Sequence, residues 1–285
     1  MKRLKIILLI LCFNTINASL KGQKDLEDFA DSLLLSGQDD FALKEYLRCY
    51  FFQKDKSDSD LCLKISLLYR NRLDFDKSLE YADYHYFRSG QNQIEQNRAL
   101  IEKVKIYMLM ADHGSALISA SMIREWNSEE KDKKIFYMGC INIMRKDMSN
   151  GKNYLLAISY LSKTDKARLD SLLHIIDVYY KKNPDHAMIY SAFLPGLGQA
   201  IHGDFKDGAK SFALVGGLGV VFIEIAKSLS FGNAVISVSP WIIRYFVGGM
   251  INASKQASRN YRTKIEGSMQ EILILIKQSS IDSKH

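Results

Sequence analysis

From about residue 24 to 183, apolar residues recur at three- and four-residue spacing with polar breaks between them, and this period predicts a run of amphipathic helices. Four of the breaks are alike: Ser36-Gly37-Gln38-Asp39-Asp40, Arg72-Leu73-Asp74-Phe75-Asp76, Ala111-Asp112-His113-Gly114 and Asp147-Met148-Ser149-Asn150-Gly151. Each parts one apolar helix from a second that opens on a small residue. Anchoring on those small residues, Ala42, Ser78, Ala116 and Gly151, gives spacings of 36, 38 and 35. That is the period of a helix-hairpin repeat, and a single hairpin cannot bury its apolar face alone, so the four are expected to stack around a shared core. The helix from Thr164 to Asn183, with Leu169, Leu172, Leu173, Ile176 and Tyr179 on one face, is expected to cap the stack. Asn183-Pro184 ends it, because the residue before a proline avoids the helical region.

At Ser191 the pattern changes. The stretch Ser191 to Phe212 reads SAFLPGLGQAIHGDFKDGAKSF and leads into two apolar runs. Ser211 to Ala226 is interrupted only by Glu224, and Pro240 to Ala253 only by Arg244 and Asn252. Ser239 is expected to cap a helix whose first residue is Pro240. A fold-back about Ala234 sets Glu224 opposite Arg244, an expected intramembrane pair, and Gly219 opposite Gly249. Gly216, Gly217, Gly219, Gly248 and Gly249 are expected to let the two backbones pack closely. Runs of this length fall short of the roughly 20 residues of a full span, so the buried core of a soluble domain is the competing reading. After Gly267 one more amphipathic helix carries Met269, Ile272, Leu273 and Ile276, to dock on the repeats or contact lipid.

Composition agrees with folded helices, since 3 Pro and 17 Gly in 285 residues exclude a disordered or collagen-like chain. The formal charge of +7 is unevenly placed. Residues 19–202 hold 26 bases and 26 acids, whereas residues 203–264 hold 8 bases and 3 acids. Lys2, Arg3 and Lys5 supply a second basic end. Basicity confined to these ends fits a lipid boundary, with Lys255, Arg259, Arg262 and Lys264 flanking the hairpin, and argues against nucleic acid as a partner. Met1 to Ser19 has the order of a secretory signal: a basic start, an apolar run from Ile6 to Phe13, and a cleavage site after Ala18. Leu11 before Cys12 is too bulky for a lipidation site. Cys49, Cys62 and Cys140 then remain, an odd number without a CxxC, which builds neither a disulfide framework nor a zinc site. A Cys49–Cys62 pairing across neighbouring helices stays open beside buried free thiols.

The repeats resemble degenerate tetratricopeptide repeats. Tyr69, Phe75, Ser78 and Ala82 in the second, and Tyr107, Ala116 and Ala120 in the third, fall where that family keeps aromatic and small residues. The resemblance implies a helical solenoid with a concave surface for a protein or peptide partner, and Tyr84 and Phe87 are the surplus rings expected to face it. The junction resembles the opening motif, Pro-Gly-x-Gly-Gln, of a small two-helix membrane domain of uncharacterised bacterial proteins. Pro195, Gly196, Gly198, Gln199, Gly203 and Gly208 carry that likeness, which implies membrane association.

The glycines do not form a phosphate loop, because no Lys-Ser/Thr follows and no strand precedes them. A structural turn is expected instead. The six His are scattered, and no HExxH, GxSxG or metal-spaced cluster occurs, so no catalytic residue, cofactor, metal or small-molecule substrate is expected. His186 and His202 read as interfacial histidines, and Asp204 and Asp207 as a solvated face. The expected chain is therefore all-α: a signal peptide (1–18), a helical-hairpin repeat array (19–183), a glycine-rich junction with a hydrophobic membrane hairpin (184–264) and an amphipathic tail (265–285). The function expected is that of an exported, membrane-attached scaffold of the bacterial cell envelope with periplasmic repeats. The alternative is a component of envelope transport or membrane-protein assembly in which the hairpin itself acts. Export with an even number of crossings puts the basic flanks outside, against the positive-inside rule, and the sequence leaves open whether the hairpin spans or only dips into the bilayer.

Overall fold

The computed structural model describes residues 26–52 and 59–283. The signal-peptide expectation and Cys12 lie outside them. The described residues are helical throughout, without a strand, and fall into two compact units that divide between Ala157 and Ile158.

The first unit is four consecutive helical hairpins. They are α1 (26–35) with α2 (Asp39–Phe52), α3 (Ser59–Asn71) with α4 (Phe75–Arg88), α5 (Gln93–Leu109) with α6 (His113–Ser121), and α7 (Ser128–Met144) with α8 (Met148–Leu156). Ala30 of α1 shares a core with Ala42, Leu43 and Tyr46 of α2, each helix from α2 to α8 packs on the next in sequence, and α3 also meets α5.

One turn geometry joins every pair. Gly37, Leu73, Ala111 and Lys146 adopt left-handed φ of 74, 61, 58 and 65°. The following amide bonds back five residues: Gln38 to Leu33 O at 2.9 Å, Asp74 to Tyr69 O at 3.0 Å, Asp112 to Tyr107 O at 2.9 Å and Asp147 to Asn142 O at 2.9 Å. This is the Schellman closure of a helix C-terminus. In the last three the next residue caps the second helix, as Asp74, Asp112 and Asp147 accept from the amides of Lys77, Ser115 and Asn150. Helix stop and helix start thus occupy two adjacent residues, which folds the chain back sharply.

Five residues beyond each left-handed turn lie Ala42, Ser78, Ala116 and Gly151, all buried. Twelve positions before them stand Ala30, Ser66, Val104 and Gly139, also buried. Ser66 and Ser78 exchange hydroxyl-to-carbonyl bonds, each of 2.7 Å. A Cβ on Gly139 would sit 2.6 Å from the Leu155 side chain, and one on Gly151 2.6 Å from Ile143 Cγ1. Small residues therefore stand where the paired helices approach most closely.

The caps carry a pH signature. Hydrogen bonds from Ser115 hold the Asp112 carboxyl below its usual range, and those from Asn150 do the same to Asp147. A depressed folded-state pKa contributes stability above the unfolded value, roughly 3.9, and loses it as pH falls through the folded value. The gap in urea midpoint between wild type and Asp112→Ala is therefore expected to be constant from pH 7 to 5 and to close below about pH 4. A gap that persists at pH 3 would show that the carboxylate is not what stabilises the turn.

The second unit comprises α9 (Lys163–Lys181), α10 (His186–Phe193), α11 (Leu197–Ile201), α12 (Phe205–Ser228) and α13 (Phe231–Asp282). Ser162 and Asp165 close a capping box at the start of α9. The apolar face of α9 is covered within its own unit. Leu169, Leu172, Leu173 and Ile176 are buried where α9 packs on α13, whose Ile272, Leu275 and Ile276 are buried as well. Residues 265–282 are accordingly no separate tail. They continue a single helix of 52 residues, about 78 Å long.

Candidate functional site

Pro195 and Gly196 turn the chain between α10 and α11, as the sequence predicts, and the glycines there are required by contact rather than by flexibility. Gly196 has φ 85°, and a Cβ on it would overlap the backbone of Gly208. A Cβ on Gly198 would overlap the carbonyl oxygen of Ala187 and reach 2.6 Å from Ser191 Oγ. That Oγ accepts the Gly198 amide at 3.1 Å. Three backbone segments, from α10, α11 and α12, thus meet without side chains between them. Gly203 (φ 98°) and Asp204 repeat the Schellman turn of the hairpins, with the Asp204 amide bonded to Gln199 O at 2.9 Å and its side chain capping α12.

The polar residues of the junction are structural in ways the sequence did not expose. His202 is no interfacial histidine. It is buried, with Nδ1 2.9 Å from Gly198 O and Nε2 3.3 Å from Asn183 O, and so ties α11 to the end of α9. His186 instead meets the Tyr190 ring edge-on. Asp204 and Asp207 are not a free solvated face either, since both accept from Gln256 Nε2 on α13, and Asp207 also from Lys210 at 2.9 Å.

Each of α12 and α13 carries a stretch long and apolar enough to cross a membrane. None of that stretch is buried in α12, and only 11% of it in α13. Phe212, Val220, Val221, Ile223, Val235, Ile236, Trp241, Ile243 and Val247 are exposed. The core of a soluble domain would hide these side chains, and their exposure over both helices supports membrane association.

The register of the hairpin differs from the expected one. Leu229 and Ser230 make the turn, Ser230 capping α13 through the Asn233 amide. Pro240 accordingly lies inside α13 and does not begin a helix at a Ser239 cap. It removes one backbone donor, a loss that membrane helices tolerate. With the turn some four residues earlier than Ala234, Ser211 faces Gly249 and Asp204 faces Gln256. Arg244 then lies level with Gly216, and Glu224 roughly eight residues, or about 12 Å, further towards the turn. The two do not pair. Arg244 rests over the Trp241 ring, 5.8 Å from its centroid. The glycine contact is likewise local: a Cβ on Gly249 would meet Ser211 Oγ at 2.8 Å, whereas Gly216, Gly217, Gly219 and Gly248 face open space.

Beside Gly248 lies a groove of about 630 Å³ between α12 and α13, which Gln199 of α11 also lines. Lys210, Arg244, Lys255 and Arg259 line it against one carboxylate, Asp207. Tyr245, Asn252, Gln256 and Ser211 complete its polar wall.

In the first unit, Tyr84 is 37% exposed and packs along one side. It stacks on Tyr50 with centroids 6.5 Å apart, meets Tyr81 edge-on, and donates to Glu80 at 2.6 Å. Arg88 lies over both Tyr50 and Tyr84. Phe87 is the freer ring, 75% exposed. Cys49, Cys62 and Cys140 are not disulfide-bonded, and burial pushes Cys49 up to about 11 and Cys140 up to about 12. Thiols so raised carry little thiolate at neutral pH and are poor nucleophiles. Among the described residues, no three His, Cys, Asp or Glu side chains gather as metal ligands. Compared with protein-family models, with characterised proteins and with solved structures, the chain gives no match.

Proposed function

We propose that the chain is a non-enzymatic scaffold or adaptor attached to a membrane of the bacterial cell envelope. The α12–α13 hairpin anchors it, and the helical hairpins of the first unit display a surface for a protein or peptide partner. The observation that carries the anchor is the unburied apolar surface of both helices. The partner surface rests on the resemblance of the hairpins to tetratricopeptide repeats and on Phe87, an aromatic ring left largely in solvent. Apolar rings at binding surfaces supply much of the affinity of such contacts.

Two measurements on the full chain test the two halves. Membranes extracted with alkaline carbonate are expected to retain the protein, and its release would overturn the anchor. Phe87→Asp is expected to weaken capture of the cross-linked partner by roughly tenfold or more while leaving membrane retention unchanged. If capture survives Phe87→Asp and is lost on deleting residues 205–253, the rival reading gains: a hairpin acting directly in envelope transport or membrane-protein assembly. Protease access to the hairpins in cells with a permeabilised outer membrane reports their expected periplasmic side.

A further inference from the structure

We propose that the groove between α12 and α13 binds a phosphate ester bearing a free hydroxyl, the chemistry of an anionic phospholipid headgroup. The inference rests on the membrane-anchored reading of the hairpin. Four observations carry it.

The first is charge. Lys210, Arg244, Lys255 and Arg259 face one carboxylate, and Asp207 is already engaged by Lys210 and Gln256. Arg244, Lys255 and Arg259 have no carboxylate within ion-pair distance among the described residues. Cations left together beside an apolar surface call for an anion.

The second is Gln199, the last residue of the Pro-Gly-x-Gly-Gln run. It is 5% exposed and lines the groove, yet its Oε1 has no hydrogen-bond partner. A buried amide oxygen without a donor is costly, and rotation of the Gln199 side chain into the groove lets that oxygen accept from a ligand hydroxyl, a donor that an anionic oxygen cannot supply.

The third is shape. Gly248 lines the groove with nothing within 4 Å of a Cβ position, so the wall there is open to a bulky group. The fourth is position. The groove extends from the polar base of the hairpin to Arg244, and exposed apolar side chains such as Phe212 and Val247 flank it, which is where headgroup gives way to acyl chain.

Trp241, beneath Arg244, reports on occupancy once Trp126 is replaced by Phe. Full-length protein is reconstituted in phosphatidylcholine bilayers doped with brominated phosphatidylcholine or brominated phosphatidylglycerol, and quenching of Trp241 is followed. Quenching by the neutral brominated lipid reports insertion of the hairpin, so its absence is a failure of the anchor reading and not of the groove. The groove predicts stronger quenching by the phosphatidylglycerol lipid at equal mole fraction. That excess is expected to fall roughly fivefold per base removed in Lys255→Gln and Arg259→Gln. Arg262→Gln with Lys264→Gln removes the same charge from the same helix outside the groove and is expected to leave the excess intact. Gln199→Met is expected to lower the preference for phosphatidylglycerol over phosphatidic acid, which lacks the glycerol hydroxyl. If the detergent-solubilised protein instead binds glycerol 1-phosphate, read at Trp241 and lost in Arg259→Gln, without any lipid excess, the groove stands and its ligand is soluble. Equal quenching by both lipids with no response to glycerol 1-phosphate overturns the proposal. So does an excess that the outer pair abolishes as fully as the groove pair.

Discussion

Gly196→Val and Gly198→Val are each expected to unfold the junction, and the protein in detergent to lose roughly 3 kcal/mol or more of stability in either variant. At Gly198 the added Cβ meets the carbonyl of Ala187, and at Gly196 it meets the backbone of Gly208. Neither neighbour has a rotamer by which to yield, so α10, α11 and α12 must part. Gly196 carries the further strain of φ 85°. The expected order is more discriminating than any single value. Gly203→Ala, at φ 98° but facing open space, bears only backbone strain, about 1–2 kcal/mol. Gly216→Ala and Gly217→Ala sit in the interior of α12 with nothing within 4 Å, and replacing glycine there stabilises a helix by roughly 0.5–1 kcal/mol. Chemical unfolding of the five variants checks this order. Equal losses at Gly198 and Gly216 would mean that the glycines act through chain flexibility and not through contact.

The same residues show what was legible before the fold was known. The hairpin period was readable because the physics repeats locally. Each turn needs a left-handed residue, a cap and a small residue five positions on, all within one short window of sequence. Only Gly37 announces its turn by type, whereas Leu73, Ala111 and Lys146 adopt the same conformation without glycine. There the Asp at the next position carried the signal. The position of α9 was not legible, because an amphipathic face shows that something covers it and not what. Leu169 and Ile176 would read identically against a repeat or against α13. The Glu224–Arg244 pair failed for a related reason. Pairing by symmetry depends on where the chain turns, and Ser239-Pro240 has the pattern of a helix start although Ser230 is the cap. A shift of about four residues at the turn moves every facing partner by twice that distance along the opposite helix. The groove depends on the true register, because only there do Lys210, Lys255 and Arg259 share one space with Gln199.

Within the repeat unit the largest expected effect lies at a buried charge. Arg70 on α3 and Glu102 on α5 meet at 2.7 Å with side chains only 16% and 5% exposed, joining the second hairpin to the third. Desolvating two charges offsets much of their attraction, so the pair as a whole contributes little net stability. Removing one partner is a different matter. Arg70→Leu leaves Glu102 buried with only the partly exposed Lys105, 3.5 Å away, to offset its charge, and a loss of about 3–5 kcal/mol is expected. Arg70→Leu with Glu102→Leu replaces the pair by apolar groups and is expected to recover most of that loss, which a double-mutant cycle on urea unfolding measures directly. Additive losses would mean that the two side chains stabilise the array separately, with no coupling between hairpins at this point. Recovery in the double variant would instead make the pair a device of register: α3 and α5 would still pack, but nothing would penalise a slip of one hairpin along the next.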